Sequence, residues 1–399
     1  MSEHGPLRMR RICLAVAMVL TASCPCYAAS VRALTMPVGF TVEPEDDRRG
    51  IVLGGGGAIL ARAHATDGSG RVRVLRWDAH GERTALIPPG AANWPARQGP
   101  PPTVEDVVAY DGDAIVTTSL TSDGSHIHTT FSTYTWGVQG VRSWAAPPCV
   151  GGRRAELRVL AAGQRRIAVT DDPSSGVIMP DLADPSSVAG FLPTAFLVEG
   201  ANCTSLGDAI LTGVHGRSVI GYLGYLDGRP APWTINVMVQ HMHALRWLDG
   251  KPRPRELGPG VPYATRDDGF TVGATALPGH GGESVTTNFF GPGGTYRYAI
   301  PHAVAWDRAG DQRFLVRGDA RSVAYDVADD GTVVGMLQAT DGKQYAFRWR
   351  HGQLQRLDDL PHPRGWRFES AYAIRDDGSI VGIGSRRGIA TAFLWHDSR

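Results

Sequence analysis

Short runs of β-branched and aromatic residues, each closed by a turn signal, recur along the second half of this chain. From 324 onward the order is Ala324, four more residues, Asp329-Asp330-Gly331, and the apolar run Val333-Val334-Gly335. Ala346-Phe347-Arg348-Trp349 follows, then Gln353 to Leu357 after His351-Gly352. Such runs suit a pleated, half-buried surface, and Asp-Gly supplies the positive φ angles of a tight reversal. The pattern predicts four short antiparallel strands, with a two-residue hairpin turn at Asp-Asp-Gly. It then repeats, because Ala371, Asp376-Asp377-Gly378 and Val381-Gly382 reproduce it one period of 47 residues later, and Ala392-Phe393-Leu394-Trp395 follows in the place of Ala346 to Trp349.

Fixed self-similarity at roughly 40 to 50 residues marks a stacked or circular repeat, and four short strands per unit make the blade of a β-propeller. Weaker copies precede the clear ones. Tyr263 to Gly273 leads to His302-Ala303-Val304-Ala305-Trp306, and Gly213 to Gly221 leads to His243-Ala244-Leu245-Arg246-Trp247. Val74 to Trp77, Ser132 to Trp136 and Thr194 to Val198 fill the same third-strand slot, the last without a Trp or a clear outer strand. The fold class expected is therefore all-β, a propeller of about seven four-stranded blades. Six or eight stay open because the first half is diverged. The last unit ends at Trp395 without an outer strand, and Ser30 to Met36 is the segment expected to fill that place and close the ring, since closure removes bare edges.

His-Ala-(Phe/Leu/Val)-x-Trp with an upstream Asp-x-Gly-x-(Val/Ile)-Val-Gly resembles the extracellular HAF-repeat family of bacterial secreted proteins. The resemblance is good over 261–399 and fair over 208–258. His302-Ala303 and His243-Ala244 carry the name-giving pair, whereas Tyr345-Ala346 and Thr391-Ala392 depart from it. It implies an extracytoplasmic location and no particular reaction or site residue.

The N-terminus supports export independently. MSEHGPLRMRR is basic, ICLAVAMVLTA is apolar, and SCPCYAAS ends in small residues, the three parts of a secretory signal over residues 1–29 with cleavage after Ala28 or Ala29. Its apolar run falls short of the roughly 20 residues that span a bilayer, so no transmembrane segment is expected. A looser string, Leu20-Thr-Ala-Ser-Cys24, leaves lipidation at Cys24 as the alternative. Residues 30–399 then form a single repeat domain. Without the leader's Arg8, Arg10, Arg11 and Glu3, the net charge of +1 becomes −1, which leaves no basic footprint for nucleic acid. Two of the five cysteines, Cys149 and Cys203, remain, an even pair expected to form a disulfide in an oxidising compartment.

Candidate chemistry is sparse. Asp267-Asp268-Gly269 and its two later copies lack the alternate spacing of calcium loops and read as turns. His126-Ile-His128 and His241-Met-His243 offer half a zinc site without further ligands, so neither metal nor cofactor is expected. Gly54 to Gly57 and Gly382 to Gly388 match no phosphate-binding fingerprint, and no Gly-x-Ser-x-Gly elbow occurs. The sharper signal is length. Between second and third strands, three successive units carry insertions, at 171–193, 225–240 and 275–297. In a propeller these leave one face, where Trp233, Asn236, His280, Asn288, Phe289 and Tyr296 form the candidate ligand-binding set. Aromatic platforms beside amide and imidazole groups suit a glycan or a protein. The expectation is a non-enzymatic binding module. The alternatives are a carbohydrate-active hydrolase or lyase acting at the propeller axis, and a purely structural surface protein.

Overall fold

The computed structural model describes residues 29–42, 51–54, 57–67, 72–78, 83–86, 103–110, 113–122, 128–137, 140–145, 147–150, 157–163, 166–171, 194–226, 229–231, 242–249, 251–276, 283–287, 294–298, 300–318 and 320–397. Seven antiparallel sheets follow one another along the chain, each running outward from its first strand, and together they form a seven-bladed propeller. Blade 6 shows the plan, with strands Ser322–Val327, Val333–Gln338, Gln344–Arg350 and Gln353–Arg356 from axis to rim. All seven third-strand slots read from the sequence occupy that place. Blade 3 also has an outer strand, Asn202–Asp208, which the sequence had not shown.

The outermost place in blade 7 is taken by Ser30–Leu34, antiparallel to Ile389–His396, with Val31 opposite Trp395 and Leu34 opposite Ala392. Ala29 already belongs to the fold. Its N–H donates to the Pro361 carbonyl at 3.0 Å, and the residue is buried. Blades 7 and 1 meet in one apolar cluster in which Ile51, Ile59 and Trp77 pack with Tyr372, Val381 and Leu394.

A single irregularity explains a repeated glycine. In blades 3 to 7 the innermost strand carries one extra residue at the same register, namely Leu160, Thr212, Tyr263, Tyr325 and Tyr372. Such a bulge bends the strand and re-aims a side chain. In blades 4 to 7 the second-strand residue facing it is Gly221, Gly273, Gly335 or Gly382. A Cβ at Gly335 would lie 2.0 Å from the Val323 carbonyl oxygen, and one at Gly382 2.0 Å from that of Ser370. Only hydrogen fits beneath the bulged strand.

The Asp-Asp-Gly turns differ from the two-residue hairpin expected. In blade 6, Ala328 N–H donates to Thr332 O at 2.9 Å and Gly331 N–H to Ala328 O at 2.9 Å, which leaves three residues in the loop. A two-residue turn of the expected kind needs positive φ at both central positions, but only Gly331, at +83°, has it. The same bonds close 266–270 and 375–379.

Candidate functional site

Alternating strand direction gives the ring two unlike faces. Connections from first to second and from third to fourth strands emerge on one, here the turn face. Connections from second to third strands and between blades emerge on the other, the loop face.

On the turn face the two aspartates of each turn have separate duties. The second holds its own loop, since Asp268, Asp330 and Asp377 accept from the backbone N–H groups of Phe270, Thr332 and Ser379 at 2.7–2.9 Å. The first reaches the preceding blade. Asp267 accepts from the N–H of Arg217 at 2.7 Å, and Asp376 from that of Asp329 at 2.8 Å. Burial pushes the Asp377 carboxyl up, but the bonds from Ser379 and the Arg375 charge outweigh it and hold the group below the usual range. Arg246, fully buried, donates to the carbonyls of Gly269, Asp307 and Arg308, and burial lowers its pKa. These aspartates thus bind backbone, as turn chemistry requires. Among the described residues no three His, Cys, Asp or Glu side chains gather as a metal site.

The loop face is uneven. In blade 6 the connection is the five-residue turn Ala339 to Lys343, and in blade 7 it is the two-residue reversal Arg387-Gly388, with φ of 53° and 80°. Blades 2 to 5 are elaborated. Blade 2 lengthens its middle strands to Asp113–Ser122 and His128–Gly137. In blade 3 the chain runs from Asp171 to Thr194 between strands, and in blade 5 from Ala276 to Pro301, where Glu283–Thr287 pairs with Gly294–Tyr298 as an added hairpin. In blade 4, Arg229–Ala231 folds back on Gly224–Leu226. Gly224 pairs with Met242 along one edge and Ala231 along the other, so this segment continues the line of the innermost strand toward the axis.

Of the candidate residues, Tyr296 stands on the added hairpin opposite Val285 in the backbone register. Trp233, Asn236, His280, Asn288 and Phe289 lie outside the described residues. The strands that flank the three insertions end toward one face. Of the histidines, His243 bonds Glu256 through Nδ1, and His128 begins a strand of blade 2, while His126 and His241 lie outside the described residues.

The axis carries a feature the sequence reading missed. The bulged Tyr263, Tyr325 and Tyr372 form an arc, with ring centroids 5.8 Å and then 5.0 Å apart. Tyr325 and Tyr372 are buried, and the arc packs with Ile51 and Val42 of blade 1. Its signal was available, because each tyrosine stands four residues before the first Asp of its turn.

No family model matches the chain, and no curated protein matches it. Solved structures do. The chain is similar to the acylaminoacyl peptidase of Pyrococcus horikoshii, at 10% identity and a TM-score of 0.46 over 85% of this chain and 49% of that one. It is similar to the β-propeller domain of the Trilobed protease from Pyrococcus furiosus, at 9% identity and 0.49 over 94% and 95%. A puromycin-hydrolyzing peptidase of Mycobacterium tuberculosis matches at 11% and 0.48 over 87% and 51%. The chain spans about half the length of the two peptidases. Among the described residues no helix is long and apolar enough to cross a membrane.

Proposed function

We propose that this propeller is an exported binding module whose loop face holds an extracytoplasmic glycan or protein. The observation that carries the reading is that the lengthened second-to-third-strand connections belong to four successive blades, 2 to 5, whose flanking strands open toward the same face. Loops positioned by a rigid scaffold are where recognition concentrates. Burial of Tyr325 and Tyr372 fills the axial side of blades 6 and 7, which favours binding at the rim of the elaborated sector over an axial hydrolase or lyase. The tripartite leader and the HAF-like repeat support export.

In the oxidising compartment this implies, Cys149 and Cys203 pair and clamp blade 3. Supporting this, Val150 of the turn Pro148–Val150 and the half-buried Cys203 belong to one apolar cluster. The bridge closes the loop from 149 to 203, for which chain entropy gives roughly 4 kcal/mol.

The test is a thermal-shift panel of glycans and candidate protein partners on the oxidised mature chain. It is repeated on a variant whose residues 277–300 are replaced by the Ala339 to Lys343 turn, and on Trp233→Ala. A ligand at about 100 times its Kd stabilises the parent by roughly 2.7 kcal/mol. The expected result is that this shift disappears in both variants while their unliganded melting stays that of the parent. Equal shifts in all three proteins, or release of sugar fragments from a glycan, would overturn the reading.

A further inference from the structure

Arginine heads join successive blades on the turn face. Arg166 of blade 3 donates to the Gly216 carbonyl in the first turn of blade 4 at 2.7 Å. Arg246 of blade 4 donates to the Gly269 carbonyl of blade 5. Arg266 of blade 5 stands over Gly331 of blade 6, its Nη1 3.2 Å from where a Cβ would lie. Arg375 of blade 7 donates to the Ala58 carbonyl of blade 1 at 3.2 Å. Four interfaces, built from different strands, thus converge on a guanidinium set against the first turn of the next blade.

Between blades 6 and 7 the same place is a cleft. The two positions that supply the head elsewhere are both diverted. Ala328 replaces the arginine found at 266 and 375, and its methyl lines the cleft. Arg348, equivalent to Arg246, turns to Asp397 at 2.5 Å and to Gln355 at 3.0 Å. Arg348 and Arg350 share the cleft's wall, but among the described residues neither bonds the Asp376-Asp377-Gly378 turn. The walls include Gly378, the counterpart of Gly269 and Gly331, together with Asp330, Asp376 and Asp397 and, against them, Arg348, Arg350 and Arg375. Of these groups, Asp397 is paired with Arg348 and Asp330 with Arg350 at 3.1 Å, and Arg375 donates to the Ala58 carbonyl, whereas among the described residues Asp376 accepts only a backbone N–H, through Oδ1.

We propose that this cleft binds a guanidinium group brought by a ligand, either a free guanidino compound or the arginine side chain of a partner. The group occupies the position that Arg246 and Arg266 occupy in their own interfaces. Asp376 supplies the counter-charge and Gly378 a close, flat approach, and charge-assisted hydrogen bonds of this kind are the strong ones. Arginine's planar fork suits such a slot better than an ammonium does. The cleft lies on the turn face, opposite the loop-face surface, so either assignment can fail without the other.

The experiment is calorimetric titration of the full chain with agmatine, with N-acetyl-argininamide and with N-acetyl-lysinamide. Saturable binding of the guanidino probes, weaker binding of the lysine probe, and a loss of about tenfold or more in Ala328→Arg support the proposal. In that variant the chain's own arginine fills the slot, and its melting temperature rises. Asp376→Asn keeps the acceptor for the Asp329 N–H and weakens binding even if Ala328→Arg folds poorly. Agmatine binding tighter than the argininamide marks a small-molecule ligand, and the reverse marks an arginine in a partner. Absent binding, or equal binding by parent and both variants, overturns the proposal. Binding that appears only in Arg399→Ala also overturns it, since it assigns the cleft to the chain's own tail.

Discussion

The turn face and the loop face are made from the same device, a reversal between neighbouring strands, yet only one has been lengthened. The difference is contact with the next blade. A Cβ at Gly269 would come within 3.5 Å of Arg246, and one at Gly331 within 3.2 Å of Arg266. Cβ atoms at Gly342 and Gly388, in the loop-face turns of blades 6 and 7, would meet nothing within 4 Å. The first-to-second-strand reversals of blades 5 and 6 are therefore parts of the blade-to-blade joint, whereas these two loop-face reversals, like the third-to-fourth-strand turn at Gly352, face open space. Added chain is tolerated where no neighbour is displaced, and blades 2 to 5 have grown there.

The most direct way to break this comparison is to insert the same five flexible residues into either turn of blade 6. Insertion after Asp329 should cost about 3 kcal/mol or more, because it uncouples the Asp329 N–H from Asp376 and Arg266 from Gly331. Insertion after Asp341 should cost under about 1 kcal/mol, the entropy of a longer loop. Equal midpoints in urea would refute the distinction. A sharper version uses one methyl group. Gly335→Ala sets a Cβ against the Val323 carbonyl and the Phe347 ring and should cost about 2–4 kcal/mol. Gly342→Ala, at φ +77° in open space, should cost only about 1 kcal/mol. Next in size, Asp376→Ala removes the acceptor for the Asp329 N–H and should lower stability by about 1 kcal/mol, with Asp376→Asn restoring most of it.

The smallest effect is pH-dependent and concerns the connection between blades 6 and 7. Burial raises the Asp358 carboxyl above its ordinary value, with the Phe368 N–H opposing it. A raised carboxyl binds its proton more tightly when folded, so stability falls as pH rises from the ordinary carboxylate range through the folded value. Asp358→Asn keeps the acceptor for Phe368 N–H and should add a few tenths of a kcal/mol at pH 7 after screening, and nothing at pH 3. A gain that is the same at both values would assign the effect to something other than ionisation.

The ring was legible wherever a residue answers to its own strand. Trp77, Trp247, Trp306 and Trp395 are fully buried, so the third strands of blades 1, 4, 5 and 7 carry a large apolar group at a fixed place, and those slots could be found. What crosses between blades was not legible. Nothing near Asp376 in sequence says that it serves the backbone of Asp329, 47 residues away. The repeated Val-Gly could be seen, but its cause, a bulge in the strand beneath, is a matter of register. Asn202–Asp208 escaped notice because a rim strand faces water, and only Leu206 in it is buried. Asp-Asp-Gly is compatible with two turn types, and only the backbone angles separate them.

The pairing of Ser30–Leu34 with Ile389–His396 also sets an order of events. During synthesis, Ser30–Leu34 must wait for Ile389–His396, made more than 350 residues later. Blade 7 stays without its rim until then, whatever the state of blades 1 to 6. Joining segments so distant in sequence is slow, because the intervening chain must be organised before the contact forms. For that interval the outer edge of Ile389–His396 is an open template, and whatever escorts the nascent chain has that edge to shield.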